Sequence, residues 1–133
     1  MSIIGIGTDL VSIPRMAGIH ARYGARLVSR LLADSEQAAY QRLVASSPGG
    51  ALADAYLARR FAAKEAAAKA LGCGIGAEAA FPELVVGHDS QGAPLLRFCG
   101  RAAARANQLG VGRAYLSISD ERDQAMAFVV LEA

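Results

Sequence analysis

The run from Arg59 to Gly72 constrains the fold most, because it is composed almost entirely of strong helix formers. Gly72 supplies the usual helix stop. Since successive residues are rotated by about 100° around a helix, Phe61, Glu65 and Lys69 fall on one face. The sequence therefore predicts a long helix that presents an aromatic ring, a carboxylate and an ammonium on a common surface.

The charges of this helix allow two interpretations. Glu65 and Lys69 can form a favourably oriented ion pair on a solvated surface, which stabilises a helix by about 0.2–0.5 kcal/mol. Alternatively, the four cations and single anion of the run suit a ligand that carries phosphate, with a metal ion held at the lone carboxylate. The alanines around these charges leave a flat surface that a ligand can approach closely, which favours the second interpretation.

The segment from Ile3 to Val11 is predicted to be a strand, because aliphatic and β-branched residues recur at every second position. Gly5 and Gly7 share a face with Asp9, and they leave room beside this carboxylate for a backbone, a helix or a ligand. The two glycines are not a dinucleotide-binding fingerprint, because the third glycine is missing and both lie inside the strand.

The rest of the chain alternates between helical and extended patterns. Helices are predicted from a Ser12 cap through Leu32 with an interruption at Gly24, and at Asp34 to Val44, Ala51 to Leu71 and Arg101 to Leu109. Strands are predicted at Glu83 to His88, Leu95 to Cys99, Ala114 to Ser119 and Gln124 to Leu131, with a loop at Ser46 to Gly50. This order predicts an α+β fold in which a small, mostly antiparallel sheet packs against a long central helix, as a single domain over residues 1–133.

The composition is that of a globular protein, with 53% hydrophobic residues and a net charge of +2. This mildly basic balance permits an acidic partner or a phosphorylated ligand without requiring one. The amino terminus lacks the basic region of a signal peptide, and no apolar run approaches the roughly 20 residues that span a bilayer. We therefore expect a cytoplasmic protein that does not associate with membranes.

The cysteines and histidines do not form a recognisable metal site. Cys73 and Cys99 are far apart and match no metal-binding spacing, so they are expected to be buried or inert thiols in a reducing compartment. His20 and His88 have no pattern of ligands nearby and are expected to be structural or solvated.

Arginines are concentrated in the helical region that follows the first strand. They recur at intervals of seven, four and four residues: Arg15, Arg22, Arg26 and Arg30. At least the last three can align along one side of a helix. With the basic central helix, this series allows an alternative function as a non-catalytic module that binds an acidic protein or nucleic acid. Nucleic acid is disfavoured by the small net charge and by the lack of aromatic residues between the basic ones.

Three motifs follow one another along the chain. They are Gly5-Ile6-Gly7-Thr8-Asp9 followed by Arg15, Arg60-Phe61-Ala62-Ala63-Lys64-Glu65-Ala66 followed by Lys69, Ala70 and Gly72, and Ser117-Ile118-Ser119 before a hydrophobic final strand. In this order they resemble the motifs of the holo-acyl-carrier-protein synthases, which are 4′-phosphopantetheinyl transferases. The resemblance extends over nearly the whole chain.

The resemblance implies that coenzyme A donates its 4′-phosphopantetheine arm to a serine of apo acyl carrier protein, with release of adenosine 3′,5′-bisphosphate, in fatty acid biosynthesis. It also implies that Asp9 and Glu65 bind Mg²⁺ and that Lys69 contacts phosphate. Enzymes of this family are usually homotrimers with active sites between subunits, so the same assembly is expected here.

Roles are also expected for the other basic residues of the motifs. The resemblance implies that Arg15, together with Arg22 and Arg26, meets the acidic carrier protein. Arg60 and Lys64 are among the four cations of the central run that suit a ligand carrying phosphate, and they are expected to bind substrate.

The residue types suit this chemistry independently of the family. Mg²⁺ is commonly held by one or two carboxylates together with water and substrate phosphates, so Asp9 and Glu65 suffice. Attack of a serine oxygen on the β-phosphorus adds negative charge to phosphoryl oxygens, which Mg²⁺ and Lys69 would stabilise. Glu65, directly or through a water, is the candidate acceptor of the serine proton, whereas Asp9 is expected only to bind metal. Glu65 and Lys69 are therefore the predicted catalytic residues.

The chain departs from the resemblance at Asp120, where many family members have histidine after the Ser-x-Ser motif. A carboxylate near coenzyme A phosphates would be repelled unless it were turned away or paired, and Arg122 or an arginine of a neighbouring subunit is the predicted partner. Alternatively, Asp120 only opens the hairpin turn by accepting backbone N–H groups.

Overall fold

The computed structural model describes residues 2–47 and 50–133. Its helices are α1 (Ile13–Tyr23), α2 (Ala25–Leu31), α3 (Asp34–Ser46), α4 (Ala51–Ala70) and α5 (Gly100–Leu109). Its strands are β1 (Ile3–Ser12), β2 (Leu84–His88), β3 (Pro94–Phe98), β4 (Arg113–Asp120) and β5 (Gln124–Glu132), and a 3₁₀ turn covers Phe81–Glu83. The helices and strands confirm the predicted α+β order, whereas the 3₁₀ turn was not predicted.

The strands form two antiparallel sheets, where the sequence predicted one. β5 lies at the centre of the larger sheet, between β1 and β4, and β2 pairs with β3 in a separate hairpin. In the larger sheet, Gly7 is opposite Val129 and Asp9 is opposite Ala127. This register places Gly7 and Asp9 on the face of the sheet that carries the buried side chains of β5.

Helix α4 packs on β1 through two glycines. A Cβ atom added to Gly5 would overlap the carbonyl oxygen of Ala70, and one added to Gly7 would overlap the carbonyl oxygen of Ala66. The helix backbone therefore lies directly against the strand backbone, which only glycine permits. The room predicted beside Asp9 is filled by a helix.

Helix α4 is buried on nearly all sides. Its alanines from Ala62 onward join one apolar cluster with the larger sheet and α5, while the earlier part of the helix, with Tyr56 and Leu57, joins a second cluster with α1, α2 and α3. The predicted flat alanine surface thus packs mainly against the protein's own elements, while Glu65 and Lys69 lie on a face of α4 that is not fully buried.

The helical region after β1 follows the predicted signals closely. Ser12 caps α1 by accepting a hydrogen bond from the Arg15 backbone N–H at 3.2 Å. Gly24, with a φ of 52°, ends α1 and begins α2, as predicted. The predicted loop at Ser46 to Gly50 falls partly outside the described residues: Ser46 ends α3, and Pro48 and Gly49 are not described.

No helix within residues 2–47 and 50–133 is both long enough and apolar enough to cross a membrane.

Candidate active site

The close packing of β1 and α4 places Asp9 beside Lys69. The Lys69 ammonium donates to the backbone oxygen of Thr8 at 2.9 Å and to Asp9 Oδ1 at 3.2 Å. The Lys69 side chain is 52% exposed and that of Asp9 is 16% exposed. The pair thus joins a partly buried carboxylate to a cation that solvent or a ligand can reach.

Glu65 lies one helical turn before Lys69 on the same face of α4. Burial raises the pKa of the Glu65 carboxyl, the negative charge of Asp9 raises it further, and the positive charge of Lys69 opposes both effects. The structure therefore brings Asp9, Glu65 and Lys69 close enough for their charges to interact, as the two distant motifs predicted.

The two carboxylates fit a hard divalent cation. Asp9 Oδ2 is buried and has no hydrogen-bond partner, although Oδ1 of the same carboxylate is paired with Lys69. A buried carboxylate oxygen without a partner is costly, and a bound cation would satisfy it. Across the described residues, no three or more His, Cys, Asp or Glu side chains are grouped so that they could hold a metal ion by themselves. Two carboxylates match Mg²⁺, which retains water and substrate oxygens, rather than a site built entirely from protein ligands.

Lys64 does not lie at this surface, which corrects its predicted role in binding substrate. Its side chain is 0% exposed, and its ammonium donates to Glu36 Oε1 at 2.6 Å and to the backbone oxygens of Leu31 and Phe81 at 2.8 and 3.0 Å. Burial lowers the pKa of Lys64, and Glu36 raises it in part. All three donors of the ammonium are satisfied inside the protein, so we remove Lys64 from the substrate-binding set.

Arg60 is also largely buried, with its residue only 5% exposed. Its guanidinium stacks over the Tyr56 ring at 4.5 Å, and its Nε lies 3.5 Å from Glu36 Oε2. The Nε atom is buried and makes no hydrogen bond. Arg60 is therefore held by the protein core, and any contact with substrate would come from the end of its guanidinium group.

Glu36 is the residue of this region that sequence reasoning missed. One carboxylate oxygen accepts hydrogen bonds from Lys64 and from the Ala33 backbone N–H, and the other accepts from the Val86 backbone N–H at 2.9 Å. These bonds tie α3, α4 and β2 together. The sequence indicated only that Glu36 lies in the first turn of a helix, where its side chain can accept a hydrogen bond from the backbone N–H of the residue before the helix.

The arginines predicted to meet the carrier protein are exposed on α1 and α2. Arg15 and Arg22 lie on α1, while Arg26 and Arg30 lie on α2 beyond the break at Gly24. The interruption predicted at Gly24 therefore separates Arg22 from Arg26 and Arg30, and the last two share one helix, although all four arginines stay on neighbouring short helices.

Asp120 has a partner that neither prediction named. Its Oδ2 lies 3.5 Å from Arg59 Nη1, with the Asp120 side chain 43% exposed and that of Arg59 30% exposed. Arg122, the predicted partner within the chain, makes no such pair among the described residues. Arg59 immediately precedes the central motif on α4, so the pair links the end of β4 to α4.

The family model of the 4′-phosphopantetheinyl transferase superfamily matches residues 5–129. The chain belongs to this superfamily. Its sequence is 51% identical over 131 residues to that of a holo-[acyl-carrier-protein] synthase of Alkalilimnicola ehrlichii, with 98% of each chain covered.

Solved structures agree with this membership. The holo-[acyl-carrier-protein] synthase of Neisseria meningitidis superposes with a TM-score of 0.87 at 37% identity, covering 99% of this chain and 100% of that one. The Bacillus anthracis holo-(acyl-carrier-protein) synthase, solved in complex with CoA (3′,5′-ADP), has a TM-score of 0.80 at 32% identity and covers 98% of this chain and 97% of that one. The family and fold predicted from the sequence are confirmed, and membership of a transferase family favours the enzyme over the non-catalytic module.

Proposed function

We propose that this chain transfers the 4′-phosphopantetheine group of coenzyme A to a serine of apo acyl carrier protein, releasing adenosine 3′,5′-bisphosphate. The observation that carries the proposal is the convergence of Asp9, Glu65 and Lys69 at the junction of β1 and α4. The product is the carrier form that fatty acid biosynthesis requires, so the chain serves that pathway.

Asp9 and Glu65 are the residues that would hold Mg²⁺, and the unpaired Oδ2 of Asp9 supports this assignment. Bound Mg²⁺ would supply electrostatic stabilisation of the phosphoryl oxygens. Lys69 has the exposure and the side-chain length to exchange its contact with Asp9 for one with a phosphate. Its positive charge would then stabilise the negative charge that develops as the serine oxygen attacks the β-phosphorus.

Glu65 is the proposed acceptor of the serine proton. Its raised pKa, caused by burial and by Asp9, brings the carboxylate closer to the basicity that proton transfer near neutral pH requires. In the step itself, the serine oxygen bonds to the β-phosphorus and the proton passes to Glu65. The bond from the β-phosphorus to its bridging oxygen breaks, and adenosine 3′,5′-bisphosphate leaves.

Substrate recognition is assigned to the basic residues that remain available. Arg15, Arg22 and Arg26 are exposed and suit the acidic surface of a carrier protein. Arg60 is proposed to reach the phosphates of coenzyme A from its place between Tyr56 and Glu36.

We also propose a homotrimer with active sites between subunits. The outer face of the larger sheet supports assembly, because it exposes large apolar side chains on all three strands: Ile6, Leu10, Met126, Phe128 and Tyr115. They lie on one face, since Leu10 is opposite Met126 and Phe128 is opposite Ser117. A contiguous apolar patch of this kind marks an interaction surface, and copies of the same chain are the partners that the family resemblance implies. Light scattering should give three times the chain mass.

The activity is tested with coenzyme A labelled in its pantetheine arm and a purified apo acyl carrier protein. We expect label to pass to the carrier with Mg²⁺ present and to stop when the metal is chelated. Carrier binding without transfer, at any Mg²⁺ concentration, would instead support the non-catalytic basic module.

A further inference from the structure

His20 connects three helices through both of its ring nitrogens. Nδ1 lies 2.7 Å from Asp54 Oδ1 on α4, and Nε2 lies 2.7 Å from the Tyr40 hydroxyl on α3. The side chains of His20 and Asp54 are 17% and 18% exposed, so the contacts are mostly shielded from water. Short, shielded hydrogen bonds to a charged group are stronger than exposed ones.

The chemistry of the three groups keeps both contacts in either protonation state of the ring. The Asp54 carboxylate only accepts, so Nδ1 carries a hydrogen and donates to it. Nε2 then accepts from the Tyr40 hydroxyl when the ring is neutral and donates to the hydroxyl oxygen when it is charged. Burial, and secondarily the charge of Asp54, raise the pKa of Tyr40, so its hydroxyl keeps its hydrogen.

The helix ends reinforce the contact between His20 and Asp54. His20 lies in the last turn of α1, and Asp54 lies in the first turn of α4. The carboxyl-terminal end of a helix favours positive charge and the amino-terminal end favours negative charge. The dipole of α4 therefore stabilises the Asp54 carboxylate to which His20 donates.

The two halves of α1 differ in their packing. The first half is anchored by Met16, which is buried, and by Ile13, which packs against the same apolar cluster. In the part of the chain that the structure describes, no residue of α1 after Met16 belongs to either apolar cluster. The polar contact between His20 and Asp54 connects this half-helix, which carries Arg22, to α4.

We propose that His20 is a positioning residue for the carrier protein: it fixes the second half of α1, and with it Arg22, relative to the catalytic helix α4. The proposal rests on the proposed function, in which α1 meets the carrier. His20 touches neither substrate nor the reacting atoms, so its effect should fall on carrier recognition and not on the chemical step.

The test is His20→Phe, which keeps an aromatic ring and removes both hydrogen bonds. Losing hydrogen bonds of this kind changes an equilibrium constant by a factor on the order of ten. We expect the KM for carrier to rise about tenfold, with kcat and the KM for coenzyme A within about twofold of wild type. His20→Asn keeps a donor for Asp54 and should recover most of the carrier affinity.

A double-mutant cycle with Arg22→Ala asks whether His20 acts through Arg22. If it does, His20→Phe should change the carrier KM by less than about twofold when Arg22 is already absent. Additive effects would overturn the proposal, and so would a lower melting temperature with an unchanged carrier KM.

Amide hydrogen exchange gives a readout that does not depend on activity. Exchange over residues 17–23 should be faster in His20→Phe and close to wild type in His20→Asn, with α4 unchanged in both. Unaltered exchange in α1 would overturn the anchoring role even if wild type proves inactive. Absence of transfer by wild type would defeat the proposed function alone.

Discussion

Gly7 of β1 lies so close to Ala66 of α4 that a single added methyl group would overlap the Ala66 carbonyl oxygen. This contact sets the position of the site, because Asp9 follows Gly7 on the same face of the strand and Lys69 follows Ala66 on the helix. The arrangement of the proposed site is thus a consequence of backbone packing between two glycines and an alanine-rich helix.

Gly7→Ala should therefore lower the free energy of unfolding by about 1–3 kcal/mol or more, because the helix must move to admit the new atom. Urea denaturation measures the effect. Gly87→Ala is the matched control, since it also lies in a strand but has no atom within 4 Å of its added Cβ. Equal losses in the two variants would show that the contact between β1 and α4 is not tight.

Asp9→Ala and Glu65→Ala should each reduce turnover by a factor on the order of 10² or more, the scale of losing a major electrostatic stabiliser. Both variants should remain folded by circular dichroism. Glu78→Ala removes an exposed carboxylate and serves as the control. A folded variant of Asp9 or Glu65 that runs near the wild-type rate at limiting Mg²⁺ would remove that residue from the proposed metal site.

Charge reversal of Arg15 or Arg22 to Glu should raise the KM for carrier and leave the KM for coenzyme A nearly unchanged. Added salt should weaken carrier binding in wild type, because exposed charges are screened over about 10 Å at 0.1 M. Arg42→Glu, an exposed arginine on α3, controls for net charge. If the carrier KM responds to neither reversal nor salt, the first helix is not part of the interface.

Glu83 should make the stability of the fold depend on acid pH. Burial raises its pKa, but hydrogen bonds from the Ala80 and Arg101 backbone N–H groups and the Arg101 charge outweigh burial, so the pKa lies below the usual 4.5. A lowered carboxyl pKa stabilises the fold above the unfolded-state value, and this contribution disappears as the pH falls through the folded-state value. Glu83→Gln should therefore have a lower melting temperature than wild type at pH 7, and this difference should shrink as the pH falls below the usual glutamate pKa of 4.5. A difference in melting temperature that stays constant with pH would show that the Glu83 charge is not its cause.

The sequence predicted those features that depend on local signals. Ser12 and Gly24 marked helix ends, period-two patterns marked strands, and the spacing of Glu65 and Lys69 put them on one face. The two motifs converge as expected, because each lies on a regular element whose faces can be read from the sequence.

The features that escaped prediction depend on long-range packing. Lys64 lies one residue before Glu65, yet its side chain points into the core. There its ammonium donates to Glu36 and to two carbonyl oxygens from distant segments. Nothing local to either residue shows that they meet. A buried lysine is rare, so the sequence favoured a ligand-binding role that the structure removes.

The observed partner of Asp120 changes what is expected of substitutions at this position. The carboxylate pairs with Arg59 at 3.5 Å across a partly exposed surface, and such pairs contribute little to stability. Pairing also offsets the repulsion that a free carboxylate would exert on coenzyme A phosphates. Asp120→Asn should keep turnover within about threefold of wild type, and Asp120→His should be tolerated, because neither removes a catalytic group.

Arg59→Gln in the wild-type background leaves Asp120 unpaired, so it should raise the KM for coenzyme A, and adding Asp120→Asn should reverse most of that rise. A loss in Asp120→Asn as large as that in Glu65→Ala, with Mg²⁺ saturating and the protein folded, would make Asp120 a catalytic carboxylate and would move the proton-accepting role away from Glu65.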